Sequence, residues 1–137
     1  MIRTLLNRCA VVGAVVLTSL TVSFPANADT EADVISSGSF TGVNNHAVTG
    51  SVTIVETETG TYAVLDPTFS LDNAPDPKLA FGKDGQYDAE TLFHPLTSLT
   101  GAQMYLIPDD IDPEDYNEFW LWCERFNVGL GVAPIQE

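Results

Sequence analysis

Between Asp29 and Glu137 no apolar pattern keeps helical spacing beyond a turn or two, because Pro, Gly and Asp interrupt it every few residues. A chain cut this way must build its core from short strands, whose side chains point alternately to two faces. Val48, Gly50, Val52 and Ile54 alternate with Thr49, Ser51, Thr53 and Val55, which predicts a strand with threonine on its more exposed face. Glu56 to Thr61, containing Gly60, reads as a hairpin turn, and Thr61 to Leu65 as the returning strand. Further short strands are expected at Phe69–Leu71, Leu79–Phe81 and Gln103–Ile107, with turns at Asp66-Pro67, 72–78 and 82–86 between them. Asp88 predicts one capped helical turn through Thr91, and Asp112 followed by Pro113 and two acids predicts another. Phe119 to Cys123 reads as the most buried strand. The expected fold is all-β, a small β-sandwich or barrel-like domain with short helical turns.

The first residues have a different character. Arg3 and Arg8 precede an almost unbroken apolar run from Cys9 to Phe24, which Pro25 ends before Ala26-Asn27-Ala28. A positive end, an apolar core and a small-x-small site predict a signal peptide over 1–28, cleaved after Ala28. An uncleaved anchor is the competing reading, but the run is short for a bilayer span. Cys9 stands at the start of the apolar run rather than after it, which is the wrong place for a lipid-accepting cysteine. The chain is therefore expected in the periplasm or secreted, with no membrane insertion after cleavage. Residues 29–37 are expected to form a flexible leader and 38–137 the β domain.

Charge narrows the partners. The chain has 19 acidic residues against five Lys and Arg, a formal charge of −14, and every acid lies after Ala28. Only Lys78, Lys83 and Arg125 oppose them there. Such a surface repels nucleic acid and anionic lipid, so no nucleic-acid partner is expected. It suits a basic protein partner or a salty environment. Removing 1–28 also removes Cys9 and leaves Cys123 as the only thiol. An exported domain with one cysteine makes no internal disulfide, so that thiol is buried and inert, pairs between molecules, or has a function.

Extending strand alternation onward puts Trp120, Trp122, Glu124, Phe126 and Val128 on one face and Phe119, Leu121, Cys123, Arg125 and Asn127 on the other. On that geometry the Arg125 guanidinium is placed to stabilise a Cys123 thiolate. The plainer reading makes Cys123 a small core hydrophobe beside a Trp pair. His46 and His94 are weak candidates for a metal or haem iron, and no Cys-x-x-Cys, Cys-x-x-Cys-His or His-x-His pattern accompanies them. Asp109, Asp110 and Asp112, with Glu114 and Asp115, are weak Ca²⁺ candidates that lack EF-hand spacing, and a solvated capping loop explains them better. No Gly-rich nucleotide loop and no Gly-x-Ser-x-Gly elbow occurs, so an enzyme in its own right is not expected.

Several of these residues fall into a known pattern. Gly38-Ser-Phe40 is followed by His46-x-Val-x-Gly50-Ser-Val-Thr-Ile54, Leu65 to Phe69, and Asn73-Ala-Pro75-Asp76-Pro-Lys-Leu79. Gly101-x-Gln103-x-Tyr105-x-x-Pro108, Asp115-Tyr116 and Trp122-Cys123-x-Arg125-Phe126-Asn127-Val128-x-x-Gly131-x-Ala133 complete it. Across Gly38 to Ile135 the chain resembles the DM13 domain family, also called the electron-transfer DM13 domain. The resemblance implies a compact β-rich extracellular module in which Cys123 is the redox centre, Arg125 the basic residue beyond it and Trp122 its shield. It also implies a separate redox partner, since no haem or membrane domain is fused here.

Two functions fit the sequence. The first is an exported single-domain redox or electron-transfer accessory centred on Cys123. The alternative is a non-catalytic extracytoplasmic module that binds a protein, Ca²⁺ or a small ligand through its acidic surface or near the Trp pair. An acid-rich structural protein of a halophilic surface is a third reading.

Overall fold

The structure is a computed structural model that describes residues 31–137; the expected signal peptide lies outside the described residues. Among the described residues twelve short strands, all paired antiparallel, form two main open sheets and a small third one. They are β1 (Asp33–Ser39), β2 (Thr41–Gly42), β3 (Val48–Thr49), β4 (Ser51–Thr57), β5 (Gly60–Leu65) and β6 (Ser70–Leu71). β7 (Pro77–Lys83), β8 (Gln86–Tyr87), β9 (His94–Pro95), β10 (Gln103–Leu106), β11 (Glu118–Cys123) and β12 (Val128–Pro134) follow. The first sheet has the order β1-β4-β5-β10. The second runs β2-β12-β11-β7-β8, with β9 also on β7, and β3 pairs β6 separately. This is an all-β, sandwich-like domain, as the short alternating runs require.

The core lies between the two larger sheets. Val52, Ile54, Ala63, Leu65 and Tyr105 come from the first, and Leu79, Phe81, Phe119, Leu121, Cys123, Leu130 and Ala133 from the second. Phe119 is its aromatic hub. Its ring meets those of Phe40, Phe81 and Phe93 edge-on, at centroid separations of 6.2, 5.2 and 6.3 Å. Such edge-to-face pairs add to the free energy of area burial.

Both expected helical turns form, each as a single 3-10 turn. Asp88 caps Ala89–Thr91 through Glu90 N–H, and Asp112 caps Pro113–Asp115 through Glu114 N–H. Thr91 then anchors the first turn to β7: its buried hydroxyl accepts from Phe81 N–H (2.7 Å) and donates to Asp88 O (2.7 Å).

Four features depart from the sequence expectation. The single strand expected over Val48–Val55 is broken at Gly50, whose φ of 93° turns the chain, so Val48–Thr49 pairs with β6 while Ser51–Thr57 joins the first sheet. The chain becomes a strand at Asp33, within the segment read as a leader, because Asp33 to Ser39 pairs with β4 and Ser37 also bridges Gln136. β7 is longer than Leu79–Phe81, since pairing with β11 along its whole length holds Pro77 and Lys78 extended as well. β12 was not expected, because two glycines dilute its apolar signal. It is nonetheless a full strand between β11 and β2, with Leu130 bulged out of register where Leu121 faces Gly131 and Trp122 faces Gly129. The bulge turns Leu130 into the core while Gly129 stays on the outer face.

His46 and Asp72 tie the loop before β3 to the loop after β6. His46 Nδ1 lies 3.0 Å from Asp72 Oδ1, and Ala47 N–H donates to Asp72 Oδ2 at 3.1 Å. The hydrogen bond from His46 and those from the Ala47 and Asn73 N–H groups hold the Asp72 carboxyl at about 2, well below its usual value.

Two predictions follow from this packing. Phe119→Ala lowers the free energy of unfolding in denaturant by about 3–5 kcal/mol, the usual cost of emptying a buried phenylalanine site. A carboxylate held low in the folded state stabilises it above the unfolded value, and that contribution is lost as pH falls toward the folded one. Asp72→Asn therefore lowers stability at neutral pH, and its difference from wild type narrows between pH 3.8 and about 2 in acid titrations followed by circular dichroism.

Candidate functional site

Cys123 is the last residue of β11, the strand at the centre of the six-stranded sheet. Alternation along Glu118–Cys123 is regular, with Phe119, Leu121 and Cys123 buried and Trp120 and Trp122 half-buried on the outer face. Cys123 is 1% exposed and packs within the apolar core. Laterally it is paired with Pro77 on β7 and Val128 on β12. It is the one free cysteine among the described residues.

The strand ends at Cys123, and the expected two faces do not continue beyond it. Residues 124–127 form a turn, with Asn127 in the left-handed region at φ 49°. Glu124, Arg125 and Phe126 are consequently exposed, and Arg125 does not share the buried face of Cys123. Asn127 has the short amide side chain best suited to that backbone conformation. The guanidinium of Arg125 has no carboxylate partner among the described residues, while its backbone N–H donates to Asp76 Oδ2 at 3.1 Å.

Asp76 is the residue that sequence reasoning passed over. Its carbonyl accepts from Glu124 N–H at 3.2 Å and its carboxylate accepts from Arg125 N–H, so it fastens the turn that directly follows Cys123. Lys78 completes the latch, pairing with Glu124 and lying 3.8 Å from Asp76. Its signals were its place in the proline-rich 72–78 loop and in the Asn73-to-Leu79 pattern, and nothing local says what that loop reaches.

On the other face of β11 the indole of Trp122 stacks on the ring of Tyr87, with centroids 3.8 Å apart and planes 8° from parallel. Trp120 meets Trp122 edge-on at 5.9 Å. Trp120 Nε1 donates to Glu118 (3.0 Å) and Trp122 Nε1 to Asn127 Oδ1 (3.3 Å), which fixes both rings. Glycines make room for them: a Cβ on Gly82 would stand 2.4 Å from Trp120 Nε1, and one on Gly129 3.0 Å from its Cζ3. Burial, and then the Asp88 charge, raise the Tyr87 phenol above its ordinary value, so it remains protonated.

The remaining candidates are held elsewhere. His46 is paired with Asp72, while His94 on β9 lies 2.7 Å from Pro95 O and packs against Tyr105 at 4.9 Å. Neither has Cys123 as a hydrogen-bond partner. Asp109 and Asp110 are exposed in a turn, and Asp112 is engaged as a cap. Among the described residues no three His, Cys, Asp or Glu side chains gather into a set able to hold a metal ion. The Ca²⁺ candidates are thus not brought together.

These features define a small all-β module with a buried thiol at the end of its central strand and an ordered aromatic array behind it. Comparison with protein families matches residues 39–135 to the one described as electron transfer DM13. The chain belongs to that family, and a general electron-transfer role comes with the membership. No curated protein and no solved structure matches it.

A buried thiol reacts only when its cover opens. Mass-mapped labelling should find Cys123 protected from a charged disulfide reagent in the native protein and modified rapidly in denaturant. Asp76→Ala removes a charge-assisted bond worth about 1 kcal/mol at this exposure and speeds native labelling severalfold.

Proposed function

We propose that the chain is an exported electron-transfer accessory whose redox centre is Cys123, working with a separate redox protein. The observation that carries this reading is the unpaired thiol at the end of the central strand, directly joined to a tryptophan that stacks on a surface-reaching tyrosine. Burial keeps thiol reagents and other cysteines away from the sulfur, which disfavours disulfide exchange. One-electron exchange does not require such contact. The path from sulfur to surface runs along the backbone into Trp122 and then across the stack to Tyr87. Oxidation removes one electron and the thiol proton, and the partner's return of an electron with a proton restores the thiol.

Export is supported by the arrangement of residues 1–28, with basic residues, an apolar run and Ala26-Asn27-Ala28 in order. The strongly acidic surface favours a partner with a basic docking face.

The test compares wild type, Cys123→Ala and Trp122→Leu by voltammetry and by stopped-flow mixing with one-electron mediators. Cys123→Ala is expected to abolish the redox wave while circular dichroism stays native, and Trp122→Leu to slow exchange while leaving the midpoint potential in place. An unchanged wave in Cys123→Ala would remove the cysteine from the mechanism.

A further inference from the structure

The outer face of the six-stranded sheet carries a cavity of about 390 Å³, partly open to solvent. Tyr87, Trp120 and Trp122 supply its aromatic wall, Gly129 lies in its floor, and Gln86 and Asn127 stand among its polar lining. We infer that this cleft binds a neutral saccharide. The inference does not depend on the redox reading, because Cys123 faces the core and is not part of the lining.

Three observations select the ligand class. First, no charged side chain lines the cleft, although the chain as a whole has a formal charge of −14. The nearby Glu118 carboxylate is already engaged by Trp120 Nε1 and by Gly85 N–H at 2.8 Å. An anion is repelled by the rest of the molecule, and a cation finds no free carboxylate in the wall. A neutral ligand fits.

Second, both indole N–H groups are satisfied within the protein, so the rings offer the cleft carbon rather than a polar donor. The C–H face of a pyranose ring buries well against such a surface. Third, the polar lining is amide. Gln86 makes no side-chain hydrogen bond among the described residues, and Asn127 uses its carbonyl oxygen on Trp122, which leaves its NH₂ free. Asn44 uses its NH₂ on Gly129 O at 2.9 Å, which leaves its oxygen free. Free donors and acceptors side by side match hydroxyl groups, which both donate and accept. A quinone offers acceptors only and prefers a slot that covers both of its faces. A partly open cleft of this size suits a sugar ring whose neighbours project into solvent.

The test titrates the protein, purified as its host makes it, with neutral trisaccharides of glucose, mannose and N-acetylglucosamine, read by calorimetry and tryptophan fluorescence. A uronate trisaccharide, duroquinone and tetramethylammonium serve as comparators. At least one neutral trisaccharide should saturate with a Kd of about 1 mM or tighter, in the range set by a single stacked ring and a few hydrogen bonds. Trp122→Leu should weaken it about tenfold or more, as loss of an aromatic anchor does. Gln86→Ala changes an exposed side chain, leaves the fold intact and should weaken binding severalfold, so it decides the matter should Trp122→Leu unfold. Cys123→Ala should bind like wild type. Absence of saturable binding to any neutral trisaccharide overturns the inference, as does tighter binding of a comparator or indifference to Gln86→Ala. Electron transfer persisting without saccharide binding overturns this inference alone.

Discussion

The double-sided pairing of β11 is the constraint on which the rest of the structure depends. Held by β7 on one edge and β12 on the other, Glu118–Cys123 has no freedom to slip, since a one-residue shift would exchange its two faces. That fixed register sends Phe119, Leu121 and Cys123 into the core and Trp120 and Trp122 outward. The aromatic hub, the protected thiol and the indole array are three consequences of the same pairing. The bulge at Leu130 serves it too, letting β12 put Leu130 inside and Gly129 beneath the indoles.

The two faces of β11 therefore have different chemistry while sharing a backbone. Inside, Cys123 is buried, with Pro77 and Val128 paired beside it and the Asp76-fastened turn next along the chain. Outside, large π-systems are ordered by hydrogen bonds at both indole nitrogens and by glycines that clear space beneath them. A buried sulfur suits exchange of electrons better than exchange of sulfur bonds. An ordered, uncharged aromatic cleft suits recognition of a ligand the acidic surface does not repel.

How legible each part was depends on the distance over which its cause acts. Alternation marked β4, β5 and the first half of the 118–128 segment, because strand periodicity is a local signal. Asp88 and Asp112 marked their turns, because a cap bonds residues two positions away. β1 and β12 escaped, one polar and one diluted by glycine, because what makes them strands is a partner far along the chain. Arg125 was misplaced by carrying alternation past the point where Asp76, nearly fifty residues earlier, bends the chain.

The sequence by itself determined an all-β domain, its short punctuated strands, its acidity, and the residue-by-residue pattern of the electron-transfer DM13 family. It also singled out Cys123 and the neighbouring tryptophans, since composition and local spacing suffice for these. Only the tertiary structure decided that the thiol is sealed, that Arg125 stands away from its face, and that Tyr87 stacks on Trp122. It alone brought Gln86, Asn127 and Gly129 around one cleft. Those outcomes depend on which strands pair and in what register, a choice made by the whole core at once.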